Sequence, residues 1–376
     1  MKFESYPFEK LTALIKDVNP QAGYSPLKLT IGEPQFDTPL FIREKLCDTA
    51  DTLNKYPKTA GEDELKSAML GFVHRNFGVE LKPSELIPTL GTREVLFNFP
   101  QFYLFDKSLP IMAYPNPFYQ IYEGAAIASR ADVIHMNLRS ENGFLPSLEE
   151  LIWSIKNGKK PDIVILNSPN NPTAAVMGME ELKKWMLAAL EYNFLLINDE
   201  CYNQIYFGTP PPSLLEAAIA VGNESFKNCL VLNSISKRSS APGLRSGFIA
   251  GDAAILKEYL KYRTYVGVTN GLPMQYAAAV AWSDEEHVMK AREKYRQNFE
   301  IAKKYRGTQV ADATFYIWFA VGDGAMFAKE LYRQKNLLVL PGSFLARNFA
   351  DEYVRIALVE SPDKTEEAIK RLRDFL

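Results

Sequence analysis

Seven short apolar runs recur along the middle of the chain, at 86–90, 109–113, 131–136, 162–167, 194–198, 229–233 and 247–250. Between them lie stretches with helical spacing of apolar positions, among them 63–75, 92–105, 148–157 and 179–191. Runs that are apolar throughout predict strands buried on both faces. Their alternation with helices over about 46–270 predicts an α/β fold, a mostly parallel seven-stranded sheet between layers of helices.

After Pro273 the rhythm changes. A long helical stretch, 273–306, is rich in Ala, Glu, Lys and Arg. The strand-like segments Phe315–Ala320 and Tyr353–Leu358 follow, and then an amphipathic helix from Thr365. This part reads as α+β. Residues 1–45 are mixed, with a Pro-rich stretch from Gly32 to Pro39.

The chain has 376 residues, of which 47% are hydrophobic, enough for a large core and about two or three domains. A net charge of −2 offers no basic surface for nucleic acid. The three cysteines, Cys47, Cys201 and Cys229, form no CxxC pair and read as reduced residues of a cytoplasmic protein. Cys201 lies near the candidate site below but reads as a core position. His74, His135 and His287 have no metal-ligand spacing, so no metal site is expected. Charges stand at the N-terminus where a signal peptide needs an apolar run. No stretch reaches the ~18 apolar residues of a membrane span. No GxGxxG follows a strand, which argues against a nicotinamide-binding unit.

Polar clusters sit where the buried runs end. Gly91-Thr92-Arg93 follows 86–90, Asn167-Ser-Pro-Asn-Asn171 follows 162–167, and Asp199-Glu-Cys-Tyr202 follows 194–198. Ligands of open α/β sheets bind at the carboxyl ends of the strands. Taken singly, such clusters are also ordinary turns and helix caps. The most telling one is Ser234-Ile-Ser236-Lys237, followed by Arg245 and set between two predicted strands. A buried lysine loses solvation and its pKa falls. A neutral amine can form a Schiff base with a carbonyl. A solvated loop lysine fits this window equally well.

In combination these motifs resemble the pyridoxal-phosphate-dependent aminotransferases of fold type I, classes I and II, from Ile31-Gly32-Glu33-Pro34 to Tyr353-Val-Arg355-Ile-Ala. The wording around Lys237 is similar to the N-succinyldiaminopimelate and aspartate-type members. The resemblance implies a large cofactor domain over 46–270 and a small domain made of 1–45 with 271–376. It implies pyridoxal phosphate held by Lys237, with Asp199 at the ring nitrogen, Asn171 and Tyr202 at the ring oxygen, and Tyr119 on the ring face. Gly91, Thr92, Arg93, Ser234, Ser236 and Arg245 would gather around the phosphate. Tyr56 would reach the site of a second subunit, making a homodimer with shared sites. Gly32, Asn171 and Arg355 would meet the substrate, Arg355 taking its α-carboxylate.

The implied reaction moves an amino group from glutamate to an acidic keto acid, first N-succinyl-2-amino-6-oxopimelate, in lysine biosynthesis, and second oxaloacetate. A carbon–sulfur lyase would use the same lysine and aspartate. A regulatory protein on this scaffold would need a DNA-binding module, which is not expected here. Phe118 competes with Tyr119, and Tyr56 also reads as an exposed loop residue. Arg238, Arg263 and Arg347 are equal candidates for a distal carboxylate. The family often has Gly after Asn-Pro-Thr, whereas Ala174 stands here and fits only if its φ is negative.

Overall fold

A computed structural model describes residues 3–305 and 311–376. Its centre is a seven-stranded sheet. The strands lie side by side in the order Leu86–Thr89, Gly247–Gly251, Cys229–Ser234, Leu195–Asp199, Ile163–Asn167, Ile111–Asn116, Asp132–Asn137. All run in one direction except Gly247–Gly251, which is antiparallel to both neighbours. Each predicted strand is present within three residues of its expected ends. Strands 163–167, 195–199, 229–234 and 247–251 are buried along their whole length, which is why they read as unbroken apolar runs.

Two cores flank the sheet. One includes Met69, Phe72, Trp185, Phe248 and Trp282, the other Phe99, Tyr114, Ile165, Leu230 and Tyr259. The predicted helical stretch 273–306 is two helices, Leu272–Ser283 and Glu286–Tyr305 (residue 306 lies outside the described residues). The break follows from Asp284, whose Oδ1 accepts the His287 backbone N–H at 3.0 Å and so caps the second helix.

A three-stranded antiparallel sheet forms from Leu340–Pro341, Tyr353–Ala357 and Tyr316–Ala320. The N-terminal segment joins this region, since Leu27–Lys28 pairs in parallel with Leu337–Leu338. Helix Pro362–Arg373 begins before the expected Thr365, because Pro362 fits the first helical turn. No helix among the described residues is long and apolar enough to cross a membrane.

Candidate active site

A cavity of about 470 Å³ opens at the carboxyl edge of the large sheet. Its floor comes from the strand ends at Asn167, Asp199 and Ser234. Gly32 and Glu33 of the N-terminal segment close one side, and Tyr316 and Arg355 of the small sheet close another.

Lys237 enters this cavity from a single turn of helix, Ile235–Arg238, that directly follows its strand. Ser234 starts the turn, its Oγ accepting the Ser236 N–H at 3.0 Å. Arg238 anchors the other side. It is buried over the rings of Phe72 and Trp282 and donates to Glu285 at 2.8 Å and to the Ala281 carbonyl at 2.9 Å. Lys237 Nζ donates to the Gly32 carbonyl. Burial brings its pKa down to about 8, the nearby Arg355 and Arg93 adding to the fall.

Asp199 is buried beside it. Desolvation pushes its carboxyl up, while donors oppose this: the Cys201 thiol, the Tyr122 hydroxyl and the Cys201 N–H. Tyr122 donates to Oδ2 at 2.8 Å and the Cys201 N–H to Oδ1 at 3.3 Å. Asn167 bridges the neighbouring strand ends. It donates to the Asp199 carbonyl at 2.8 Å and accepts the Asn171 N–H at 2.8 Å.

Arg355 is 4% exposed, yet among the described residues no carboxylate pairs with it. Nη1 donates to Asn171 Oδ1 at 2.7 Å and Nη2 to the Thr30 carbonyl at 2.6 Å, while Nε is buried without a partner. The guanidinium lies 4.5 Å from the centre of the Tyr316 ring. Tyr316 in turn shares a 2.9 Å hydrogen bond with Tyr202. A buried cation lacking a counter-charge is costly unless an anion joins it.

The opposite end collects anion donors. Helix Thr92–Tyr103 begins at Gly91 with no side-chain cap, so its first N–H groups and dipole are free to meet an anion. The hydroxyls of Ser234 and Ser236 lie 2.7 Å apart. Arg245, also on the cavity wall, is fixed by the carbonyls of Pro242 at 2.8 Å and Leu90 at 3.3 Å. Gly91 has φ +71°, and a Cβ there would stand 2.3 Å from Arg245 Nη2, so both backbone and space demand glycine.

An amine of lowered pKa, a buried carboxylate and an anion cradle at one cavity, with an unpaired arginine opposite, define the site. The sequence model for aminotransferase class I and II matches residues 25–372. The chain belongs to this aminotransferase family. An LL-diaminopimelate aminotransferase from Aquifex aeolicus is 30% identical over 370 residues, covering 94% of this chain and 92% of that protein. The crystal structure of aminotransferase AspB from Helicobacter pylori 26695 superposes with a TM-score of 0.95 at 49% identity, covering 100% of this chain and 99% of that one. An aminotransferase from Neisseria meningitidis Z2491 superposes with a TM-score of 0.94 at 36% identity, covering 100% and 98%.

Class I and II aminotransferases use pyridoxal phosphate. The cavity of this transaminase fits that group, with an uncapped helix start and hydroxyls for a phosphate, a buried carboxylate for a ring nitrogen and an amine between them. Gly32, Thr92, Arg93, Tyr119, Asn171, Asp199, Tyr202, Ser234, Ser236, Lys237, Arg245 and Arg355 all line it. Gly91 lies just behind, against Arg245. Tyr119 faces the cavity, whereas Phe118 packs in the core beside Tyr114 and His135.

Tyr56 does not reach the cavity of its own chain and is fully exposed. None of the three candidates for a distal carboxylate is at the cavity. Arg238 pairs with Glu285, Arg263 with Glu94, and Arg347 with Glu4 and Glu123. Cys201, read as a core position, lines the cavity. Tyr122 and Tyr316 were not legible as site residues, because no local motif marks them among 19 tyrosines. Ala174 has φ +62°, the conformation in which a Cβ is strained.

Proposed function

We propose that this aminotransferase takes its amino group from glutamate and passes it to an acidic keto acid, N-succinyl-2-amino-6-oxopimelate. The observation that carries the reading is Arg355, a buried guanidinium without a carboxylate partner, facing a lysine whose pKa is held near 8. Arg355 would grip the α-carboxylate of each substrate, since a guanidinium fork matches a carboxylate with two bonds. Lys237 Nζ would hold the cofactor and, once released, move a proton at the substrate Cα. An amine titrating near neutrality suits both tasks. Asp199 would keep a proton on the ring nitrogen, while Tyr202 and Asn171 orient the ring oxygen and Tyr119 covers one ring face. Thr92, the N–H groups after Gly91, Ser234, Ser236 and Arg245 would bind the phosphate. When bound, the cofactor supplies the electron sink that makes the Cα proton removable.

An acidic acceptor is favoured by Arg93, which the resemblance placed at the phosphate and which in this reading meets the acceptor instead. It stands on the cavity rim, held by a 2.7 Å bond from Nε to the Tyr119 hydroxyl, and among the described residues no carboxylate pairs with it. The name of the Aquifex relative supports a substrate of the diaminopimelate type. Oxaloacetate is the second reading, in keeping with a Thermus thermophilus aspartate aminotransferase that superposes with a TM-score of 0.86 at 25% identity. A homodimer is part of this reading, with exposed Tyr56 reaching the partner's phosphate site. Placement in the cytoplasm agrees with three free cysteines, Cys47 among them exposed.

The visible spectrum of the purified protein tests this first. A yellow band lost on adding glutamate, with one equivalent of 2-oxoglutarate released, supports the donor and the lysine together. Acceptors are then compared by kcat/KM. Equal rates with acidic and neutral keto acids would remove the acceptor assignment. Pyruvate and ammonia from a cysteine-like substrate would move the reading to a lyase.

A further inference from the structure

Cys201 occupies an unusual place for a residue with no assigned task. Its Sγ lies 3.1 Å from Thr92 Oγ1, at the start of the helix that faces the anion end of the cavity. The same thiol is within hydrogen-bonding reach of the Asp199 carboxylate. Either atom of the Thr92–Cys201 pair can donate; when the S–H turns to Asp199, the Thr92 O–H is left to donate to sulfur and the three groups form a chain. Burial and the neighbouring carboxylate push the thiol pKa well up, so the sulfur keeps its proton and stays a donor. The other oxygen of Asp199 receives the Tyr122 hydroxyl at 2.8 Å, and Tyr122 is 1% exposed.

The contrast with the other cysteines is informative. Cys229 is fully buried, and its sulfur reaches only the Leu214 carbonyl at 4.0 Å. Cys47 is exposed. Only Cys201 stands between two groups that both face the cavity. Asp199 itself is 5% exposed and its carboxyl is pushed up by burial. A carboxylate in such a place stays ionised only if donors surround it. Here they are the Tyr122 hydroxyl, the Cys201 N–H and the Cys201 thiol.

We propose that Cys201 and Tyr122 are positioning residues of the transamination reaction, which hold Asp199 ionised and oriented toward the ring nitrogen of the cofactor. Cys201 also links that carboxylate to Thr92, so the two ends of the cofactor site are set by one hydrogen-bonded chain. The proposal rests on Asp199 serving the ring nitrogen, as in the function proposed above.

Four substitutions separate this role from packing. Cys201→Val loses the donor and adds about one methyl group of volume, so Cys201→Ala, which loses the donor without adding volume, is measured beside it and should show the same loss. Cys201→Ser keeps a donor, and Tyr122→Phe loses one hydroxyl. Each missing donor should lower kcat about tenfold at saturating cofactor, the scale of one hydrogen bond to a charged group. KM for glutamate should hold, and Cys201→Ser should stay near the wild type.

Reconstitution with the N1-methylated cofactor supplies a ring nitrogen whose positive charge needs no proton. With it, the difference between wild type and Cys201→Val should vanish. Infrared spectra of the cofactor-free proteins give a second readout, the C=O stretch of a neutral buried acid, assigned by its loss in Asp199→Asn. That band should grow in Cys201→Val and in Tyr122→Phe. Unchanged kcat and an unchanged band in both would overturn the proposal, as would a rate loss that the methylated cofactor does not relieve. Wild-type kcat in Asp199→Asn would sink the parent reading of Asp199 as well, which keeps the two failures distinct.

Discussion

Arg355 Nη1 donates to Asn171 Oδ1 over 2.7 Å, and this bond joins the small antiparallel sheet to the carboxyl edge of the large one. Its second terminal nitrogen donates to the Thr30 carbonyl, and each terminal nitrogen keeps a second N–H for a substrate carboxylate. The arginine is therefore oriented before any substrate arrives, and its cation is not neutralised by a resident acid. A lysine at this place would keep the charge and lose the fork. Arg355→Lys should raise KM for glutamate by roughly 100-fold, the scale of one lost bidentate contact, about 2–3 kcal/mol. It should change kcat much less. Steady-state kinetics with donor and acceptor varied in turn checks this. An unchanged KM would remove Arg355 from substrate binding.

Lys237 makes a prediction about pH. Its pKa in the folded protein is near 8 against an ordinary 10.5, so folding disfavours its charged form. The unfolded chain binds more protons between those two values, and stability rises with pH across that window. The penalty is present in full below about 8 and is gone above 10.5. Lys237→Met removes the charge and should stabilise the cofactor-free protein at pH 7. At about 1.4 kcal/mol per pKa unit, a fall from 10.5 to about 8 makes the gain on the order of 3–4 kcal/mol. The gain should shrink steadily as the pH is raised toward 10.5. Urea denaturation of both proteins across pH 7–10.5 measures it, and a pH-independent difference would contradict the desolvation account. The same variant should have no transaminase activity.

Gly32 is closed in by aromatic rings. A Cβ there would lie 1.8 Å from the Tyr316 hydroxyl oxygen, 2.7 Å from Tyr316 Cζ and 3.0 Å from Phe315 Cε2. Tyr316 cannot swing freely, since it is packed against Phe315 and Tyr202 and bonded to the Tyr202 hydroxyl. Gly32→Ala should cost about 1–3 kcal/mol through overpacking. It should also lower kcat/KM, because Gly32 carries the carbonyl that Lys237 contacts. Adding Tyr316→Phe removes the nearest clash but leaves the ring carbon close, so rescue should be partial. Chemical denaturation of the single and double variants reads this out.

The large sheet was legible because its central strands are covered on both faces. Ile163–Asn167 and Leu195–Asp199 have no solvent side, so nothing interrupts their apolar runs before the polar strand ends. Those ends also carry the motif residues, which is why Asp199, Asn171 and Lys237 could be named together. The break in 273–306 was harder, because Asp284 differs little from the charged residues around it until its capping bond is seen. Tyr122 and Tyr316 come from helix Gln120–Ala128 and strand Tyr316–Ala320, elements remote in sequence from the groups they contact. Their roles arise from tertiary placement alone. The candidate arginines could not be ranked from sequence for a similar reason, as the carboxylate that each one meets lies far from it along the chain.

Ala174 tests how a departure from the family pattern is accommodated. Its φ of +62° costs an L-residue roughly 1–2 kcal/mol, yet the residue is 4% exposed and its methyl group is buried. Ala174→Gly relieves the strain. It also gives up about 0.8 kcal/mol of burial and about 0.4–1 kcal/mol through a freer unfolded chain. These effects nearly cancel, so the net change should stay within about 1 kcal/mol. Ala217 is fully buried in helix Leu214–Ala220, where glycine has no strain to relieve. There the substitution should cost about 1.5–2 kcal/mol. Equal losses at both positions, measured by denaturant unfolding, would show that the strain at Ala174 is relaxed in solution.

Tyr56 is fully exposed in its own chain and absent from that chain's cavity wall, although Lys237 lies on that wall. If the tyrosine completes the site of a second subunit, every site draws Lys237 and Tyr56 from different chains. Lys237→Ala and Tyr56→Ala homodimers would then each have two defective sites. A mixed dimer regains one intact site, built from the lysine of the Tyr56→Ala chain and the tyrosine of the Lys237→Ala chain. Its other site carries both defects. Unfolding the two variants together and refolding them at equal concentration should leave half the molecules as mixed dimers. One restored site in each gives about one quarter of wild-type activity, from random pairing of two chains. Separately refolded variants mixed afterwards should show no such gain. Activity that stays at the mean of the two homodimers would place Tyr56 outside the catalytic site and leave it a surface residue.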